Sequence, residues 1–466
     1  MKKLKIGLLP LYIKLYDDFF PEMEERNYSF YDTIAKELEK KDIEVVTSSI
    51  CRVEPEFAAA AKRFEAEDAD AIITLHLAYS PSLESAGVLA ATRLPIIVLD
   101  TTPTFDYSPS QHPDELMYNH GIHGVQDMCN LLLRSGKPFI IEAGHWSESD
   151  VLDRAAQDVK AARIAKSLQN AKVGRFGGTF TGMGDFDGPG QTLQETIGIE
   201  TVEYDIRDQA LFGQPIAEGQ IEAEMSQDIA SFYAPDLEAT VHRQSTLANL
   251  SIRKLIDEHQ LTAFTVNFMN VTAESALTSM PFLEASKSMA RGIGYAGEGD
   301  VLTAAFVGAL LSVYPDTSFT EMFCPDWQHN SIFLSHMGEM NIQLCSEKPV
   351  IKEMNFAFTD AQNPVVAYGR FRGGEAVYVN LAPGRDKKYT FIVSPIEMLD
   401  IEGTDNMAGS IRGWFKPQQS VADFLAAYSR HGGTHHGAIV YGEAQRLIRV
   451  MEELGNLMKW DIVVIN

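Results

Sequence analysis

Ala71-Ile-Ile-Thr-Leu-His76-Leu-Ala-Tyr79-Ser80-Pro81, then Ser82-Leu-Glu-Ser-Ala-Gly-Val-Leu-Ala-Ala91, then Ile96-Ile-Val-Leu99-Asp100 decide the fold. They read in order as a strand, a helix and a second strand. Both apolar runs are continuous rather than alternating, the pattern of strands buried on both faces. Working outward, Ile6–Leu9, Ile43–Thr47 and Phe139–Ile141 repeat the strand signature. Helical patterns fill Ser29–Lys40 and Glu56–Glu67 between them. Strand–helix alternation at this spacing predicts a parallel, doubly wound α/β domain. Such sheets bind ligands at the carboxyl ends of their strands, which here carry Thr74–Pro81 and Asp100-Thr-Thr-Pro-Thr-Phe105.

A long helical pattern over Ser149–Gln169 leads into Lys172-Val-Gly-Arg175-Phe176-Gly177, a strand and turn that open a second domain. Gly, Thr and Asp crowd Gly177–Gly190, which reads as a loop. Two strand–helix units follow, with Phe264–Phe268 the clearest strand. Beyond Ser318 the pattern becomes Val365–Phe371, Ala376–Asn380 and Tyr389–Val393, punctuated by Arg372-Gly-Gly and Pro383-Gly. Helices near Val421–Ser429 and Glu443–Leu454 accompany these strands. The prediction is an α/β chain: doubly wound parallel-sheet domains at 1–170 and 171–318, then a mainly antiparallel β domain at 319–466.

The 466-residue length fits two or three domains, and 45% hydrophobic with 22% charged residues is the balance of a soluble enzyme. A formal net charge of −25 excludes nucleic acid as a partner, because a phosphate backbone needs a basic stripe. Cys51, Cys129, Cys324 and Cys345 are scattered without CxxC spacing, so neither a disulfide framework nor a thiolate zinc site is expected. The apolar run after Met1-Lys-Lys is too short for a signal peptide, and no stretch is long enough to cross a membrane. A cytoplasmic enzyme is the expectation.

Chemistry concentrates between Gly292 and Glu339. Gly292-Ile-Gly294-Tyr-Ala-Gly297 matches the GxGxxG string, but that fingerprint needs a preceding strand, and Leu283–Met289 reads as a helix. Glu298 follows on a Gly-rich turn, and Asp300 is a good N-cap for the helical pattern after it. Glu321 sits in a run of apolar and small residues, where a carboxylate needs a strong partner such as a metal ion. His336 ends an apolar strand, and Gly432-Gly-Thr-His435-His436-Gly437 forms a glycine-rich turn. Adjacent strand residues point to opposite faces, so one of the two histidines is expected to join a given site. Two carboxylates with two imidazoles suit Mn²⁺, Co²⁺ or Mg²⁺, and the absence of HExxH and C2H2 spacing argues against a zincin or a zinc finger.

Gly294-Tyr-Ala-Gly-Glu298-Gly-Asp300, Phe319-Thr-Glu321, Ser335-His336-Met-Gly-Glu339 and Gly432-Gly-Thr-His435-His436 resemble, in order and spacing, the metal-binding signatures of the L-arabinose isomerase family. Thr74–Pro81, Asn119-His-Gly-Ile-His123-Gly124, Gly144-His145-Trp146 and Arg175-Phe176-Gly177 are similar to further motifs of that family. The resemblance implies an aldose–ketose isomerase acting through an enediolate, with L-arabinose as first substrate and Mn²⁺ as first metal. It implies that Glu298, Glu321, His336 and His436 bind the metal, with Glu298 and Glu321 also the acid–base pair. It further implies that Tyr79, His123 and His435 contact the sugar, with His123 reaching a neighbouring subunit of a trimer or hexamer. Leu8-Leu-Pro-Leu-Tyr12, Ser82–Ser85 and Met322–Pro325 depart from the family pattern. Another aldose (D-galactose, a 6-deoxyhexose or a shorter sugar) is therefore an alternative substrate, and a non-catalytic sugar-binding protein is the reading from another class.

Overall fold

The computed structural model describes residues 2–186, 188 and 190–466, so Asp187 and Pro189 of the loop expected at Gly177–Gly190 lie outside the described residues. Two compact units divide the chain, Met1–Lys166 with Val450–Lys459, and Ser167–Arg449 with Trp460–Asn466.

In the first unit, β1 (Leu4–Leu11), β2 (Ile43–Thr47), β3 (Ala71–His76), β4 (Ile96–Asp100) and β5 (Phe139–Ala143) form one parallel sheet in the order β2-β1-β3-β4-β5. All six residues of β3 are buried, as the unbroken apolar run requires of a central strand. The expectation of two buried faces fails for β2 and β5, where Glu44, Thr47 and Ile141 are exposed. Both are edge strands, and the register of a flat sequence pattern does not say which strands end the sheet. Helix Ser82–Ala91 buries Ser82, Ser85, Ala86 and Leu89, a stripe at spacings of three and four that lays one face on the sheet.

The second unit opens with a second parallel sheet, ordered β7-β6-β8-β9, of β6 (Lys172–Phe176), β7 (Glu200–Tyr204), β8 (Ala263–Val266) and β9 (Gly294–Gly297). The strand expected to run to Phe268 stops at Val266, because the Asn267 side chain accepts from the Met269 N–H and starts a 3-10 turn at Phe268–Asn270. Helix Phe282–Ala290 precedes β9, so the GxGxxG string enters a strand from a helix. Every residue of the next helix, Val301–Leu311, is buried. A helix apolar on all sides must be covered on all sides, and this one packs on β6, β8 and β9 as well as on the strands Thr317–Asp326 and Gly374–Pro383 of the following sheet.

That sheet is a closed barrel of six strands: β14 (Gly374–Pro383), β17 (His436–Tyr441), β10 (Thr317–Asp326), β11 (Ser331–Ser335), β16 (Gly413–Pro417) and β15 (Tyr389–Met398), with β15 pairing back to β14. These pairings are antiparallel, as expected, and β18 (Asp461–Val464) adds to β15 in parallel. A separate hairpin joins β12 (Val350–Glu353) and β13 (Val365–Tyr368). Among the described residues no helix is long and apolar enough to cross a membrane.

Candidate metal centre and active site

Strand register assembles the site. Glu321 on β10 stands directly opposite His436, the first residue of β17, and opposite Ser335, the last residue of β11. Cross-strand partners lie within side-chain reach, so one carboxylate is flanked by His436 on one side and by His336, next after Ser335, on the other. Phe319, two residues before Glu321, shares its face and packs edge-on against both imidazoles, with ring centroids 4.8 Å from His336 and 5.0 Å from His436.

Glu298 arrives from the carboxyl end of β9. Residues Gly297–Asp300 form a tight turn closed by Asp300 N–H donating to the Gly297 carbonyl at 3.0 Å, with positive φ at both central residues, 65° at Glu298 and 88° at Gly299. Left-handed backbone costs a glutamate roughly 1 kcal/mol or more. The Thr265 hydroxyl holds the turn, donating to the Gly297 carbonyl at 3.0 Å and accepting the Gly299 N–H at 2.9 Å. Gly297 itself has no room for a side chain, since a Cβ there would meet His336 Cε1 at 2.6 Å.

Each of three imidazoles is tethered through Nδ1 to its own carboxylate. His336 pairs with Glu339 at 2.6 Å, His436 with Asp300 at 2.9 Å and His435 with Asp185 at 2.6 Å. Tyr295 and the Gly338 N–H also donate to Glu339, fixing it in turn. A carboxylate accepts only, so each Nδ1 carries a proton and each Nε2 is aimed away from its tether. Those Nε2 atoms converge on the two glutamates. His436 Nε2 is 3.0 Å from Glu321 Oε1 and 3.4 Å from Glu298 Oε2. His435 Nε2 is 3.5 Å from Glu298 Oε2 and 3.7 Å from Glu321 Oε1, and His336 Nε2 is 3.6 Å from Glu321 Oε1.

Electrostatics point the same way. Burial alone would raise the Glu298 carboxyl, but the His435 and His436 rings pull it down to about 2. Glu321 moves down as well, burial again being outweighed by His336, His436 and His435. Burial would lower the imidazoles, yet Glu339 and Glu321 raise His336, and Asp300, Glu298 and Glu321 raise His436 well above its ordinary range. The site is therefore rich in buried negative charge and draws cations. Among the described residues no group meets His436 Nε2, on a fully buried ring, at hydrogen-bonding geometry, an orphan that a metal ion would satisfy. Glu298, Glu321, His435 and His436 each bring a donor atom within 4.8 Å of one another. The residues present fit a divalent cation bound by N and O donors.

The profile of the L-arabinose isomerase central domain matches residues 172–314, and that of the L-arabinose isomerase C-terminal domain matches residues 316–458, together more than half the chain. The chain belongs to the L-arabinose isomerase family. Curated L-arabinose isomerases from Geobacillus kaustophilus and Geobacillus stearothermophilus are each 25% identical to it over 86% of this chain and 82% of their own. The L-arabinose isomerase of Clostridium beijerinckii is 24% identical over 96% of this chain and 92% of its own. A solved periplasmic solute-binding protein from Actinobacillus succinogenes with bound D-allose covers 67% of this chain and 92% of its own at 14% identity and a TM-score of 0.17, too different in backbone to bear on function.

In this member of the L-arabinose isomerase family, Glu298, Glu321, His336, His435 and His436 come together within the second unit. The expectation that only one of the paired histidines joins the site fails. Strand alternation begins at His436, and His435 lies in the bend before β17, where its ring turns to the same carboxylates with centroids 4.4 Å apart. Tyr79 and His123 lie in the first unit: the Tyr79 hydroxyl is 3.4 Å from Asp127, and His123 sits 5.8 Å ring to ring from His120. Sequence reasoning saw Asp300 only as a helix cap, gave Glu339 no role and missed Asp185 and Phe186. Asp300 does cap, accepting the Thr303 N–H at 2.9 Å, while its other oxygen holds His436. A carboxylate three residues after His336 and two residues after Glu298 was a usable signal; nothing in the sequence marks Asp185.

Proposed function

We propose that this protein is a divalent-metal-dependent isomerase of open-chain aldoses, converting L-arabinose to L-ribulose, with Glu298, Glu321, His336 and His436 as metal ligands. The reaction class follows from the family: the chain is an aldose–ketose isomerase. The observation that carries the metal reading is the convergence of three Nε2 atoms and two ionised carboxylates, each ring held by a carboxylate behind it. A bound Mn²⁺, Co²⁺ or Mg²⁺ would polarise the carbonyl and neighbouring hydroxyl of the sugar.

The chain's own residues do the rest. Glu298 and Glu321 are ionised near neutral pH and so available as proton acceptors. One carboxylate takes the C2 proton of the aldose, giving an enediolate; returning a proton to C1, with the O2 hydroxyl proton passing to O1, completes the ketose. Their attachment to different elements, the turn after β9 and the middle of β10, lets them address the sugar from separate directions. Phe319 and Phe186 wall the site with apolar surface that excludes water from the reacting carbons. This reading carries with it a cytoplasmic location and a homo-oligomer, trimer or hexamer, in which His123 serves a neighbouring copy.

The test is ketose formation from a panel of aldoses (L-arabinose, D-galactose, a 6-deoxyhexose and a tetrose) with Mn²⁺ and after chelation. Metal-dependent ketose from L-arabinose above the others is the expected result. Preference for another aldose corrects the substrate and keeps the mechanism; sugar binding without ketose or metal dependence overturns the proposal. Glu298→Gln and Glu321→Gln are each expected to abolish turnover with the fold intact.

A further inference from the structure

Glu339 and Asp300 hold His336 and His436 from within the same short motifs that supply the site. His435 is held from elsewhere. Its partner Asp185 lies in the loop after β6, 250 positions away, and one carboxylate oxygen accepts both the ring Nδ1–H at 2.6 Å and the His435 backbone N–H at 3.0 Å. Two bonds to one atom fix the ring against its own backbone.

The loop is anchored where it begins. The Asn270 amide donates to the Gly177 carbonyl at 2.7 Å, the Asn267 amide donates to the Thr179 carbonyl at 3.0 Å, and the Phe180 N–H donates to the Glu298 carbonyl at 2.9 Å. Its tip lies on the two rings, with Phe186 stacked on His436 at 4.8 Å and 6° between planes, and 5.3 Å from His435. Exposure separates the three imidazoles: the side chains of His336 and His436 are 2% and 0% exposed, that of His435 39%. Of the three, His435 is the ring a ligand entering from solvent can touch.

We propose that Asp185 is a positioning residue for the sugar: by holding the His435 ring through Nδ1 and the His435 backbone through its N–H, it keeps Nε2 turned toward a hydroxyl of the open-chain substrate beside Glu298 and Glu321. The inference rests on the sugar-isomerase reading above. The loop after β6 thereby becomes a determinant of sugar binding, separate from the groups that hold the metal.

With Mn²⁺ and the full chain, Asp185→Ala is expected to raise KM and weaken ribitol binding by about 10- to 100-fold. Its Mn²⁺ isotherm without sugar stays at the wild-type value, and Asp185→Glu recovers part of the loss. Unaltered KM and ribitol affinity in Asp185→Ala overturn the proposal. An equal loss of Mn²⁺ binding also overturns it, by assigning Asp185 to the metal. If the wild-type protein makes no ketose from any aldose, the isomerase reading fails by itself, and the ribitol measurement still decides the role of Asp185.

Discussion

Asp300 links the fold to the candidate metal centre through two oxygens, and substitution separates the two roles. Oδ1 caps helix Val301–Leu311 and Oδ2 accepts the Nδ1–H of His436, with both side chains fully buried. Asp300→Ala removes a helix cap, at about 1 kcal/mol. It also strands a buried imidazole N–H, at about 1–3 kcal/mol. The sum, about 2–4 kcal/mol, lowers the melting temperature of the metal-free protein by several degrees. Asp300→Asn behaves differently: its carbonyl oxygen keeps the cap, but its amide faces His436 Nδ1 as a donor and drives the ring proton to Nε2. Stability is then close to wild type while metal affinity falls about 10- to 100-fold, the usual consequence of removing the carboxylate behind a ligating histidine. Calorimetric melting of both variants without metal, followed by Mn²⁺ titration, separates the effects. Wild-type Mn²⁺ affinity in Asp300→Asn would refute the reasoning that tethered Nδ1 atoms aim Nε2 lone pairs into the site.

Glu298→Gly and Glu298→Ala both remove the carboxylate and its pairing with His435 and His436, and turnover disappears in each, but glycine alone relieves the φ of 65°; the metal-free glycine variant is expected to be about 1 kcal/mol more stable than the alanine variant. Equal stability of the two in urea denaturation would show that the turn is not strained. Gly297→Ala places a Cβ 2.6 Å from His336 Cε1, so Mn²⁺ affinity measured against a fluorescent chelator is expected to drop about tenfold or more, and an unchanged value would contradict the close approach. Outside this cluster, Glu224 pairs with Arg253 and Lys287 at 2.7 Å each, and those bonds outweigh burial to bring its carboxyl from 4.5 down to about 2. Its folded value lies below the unfolded one, so its stabilisation is complete above pH 4.5 and is lost as pH falls toward 2. At neutral pH it amounts to at most about 3 kcal/mol, and the stability gap between wild type and Glu224→Gln in urea melts should narrow steadily below pH 4.5.

Composition and local pattern were enough for the class of fold. The unbroken run Ala71–Leu75, the helix Ser82–Ala91 and their repeats specify parallel strands with covering helices because periodicity is a local consequence of which faces are buried. The strings around Glu298, Glu321, His336 and His436 were legible too, although of the three ring tethers Glu339 alone lies within three residues of its histidine. What the sequence could not carry is anything set by pairing between distant segments. Which strands lie at sheet edges, how β15 closes the barrel onto β14, and that Glu321 faces His436 are decided by tertiary register. The same holds for the paired histidines: a bend before β17 turns both rings to one place, and Asp185 reaches His435 from a loop that no periodicity describes. Chemistry-bearing residues are written into the chain one at a time, but a coordination shell is a set of distances, and only the packed barrel and sheet supply those.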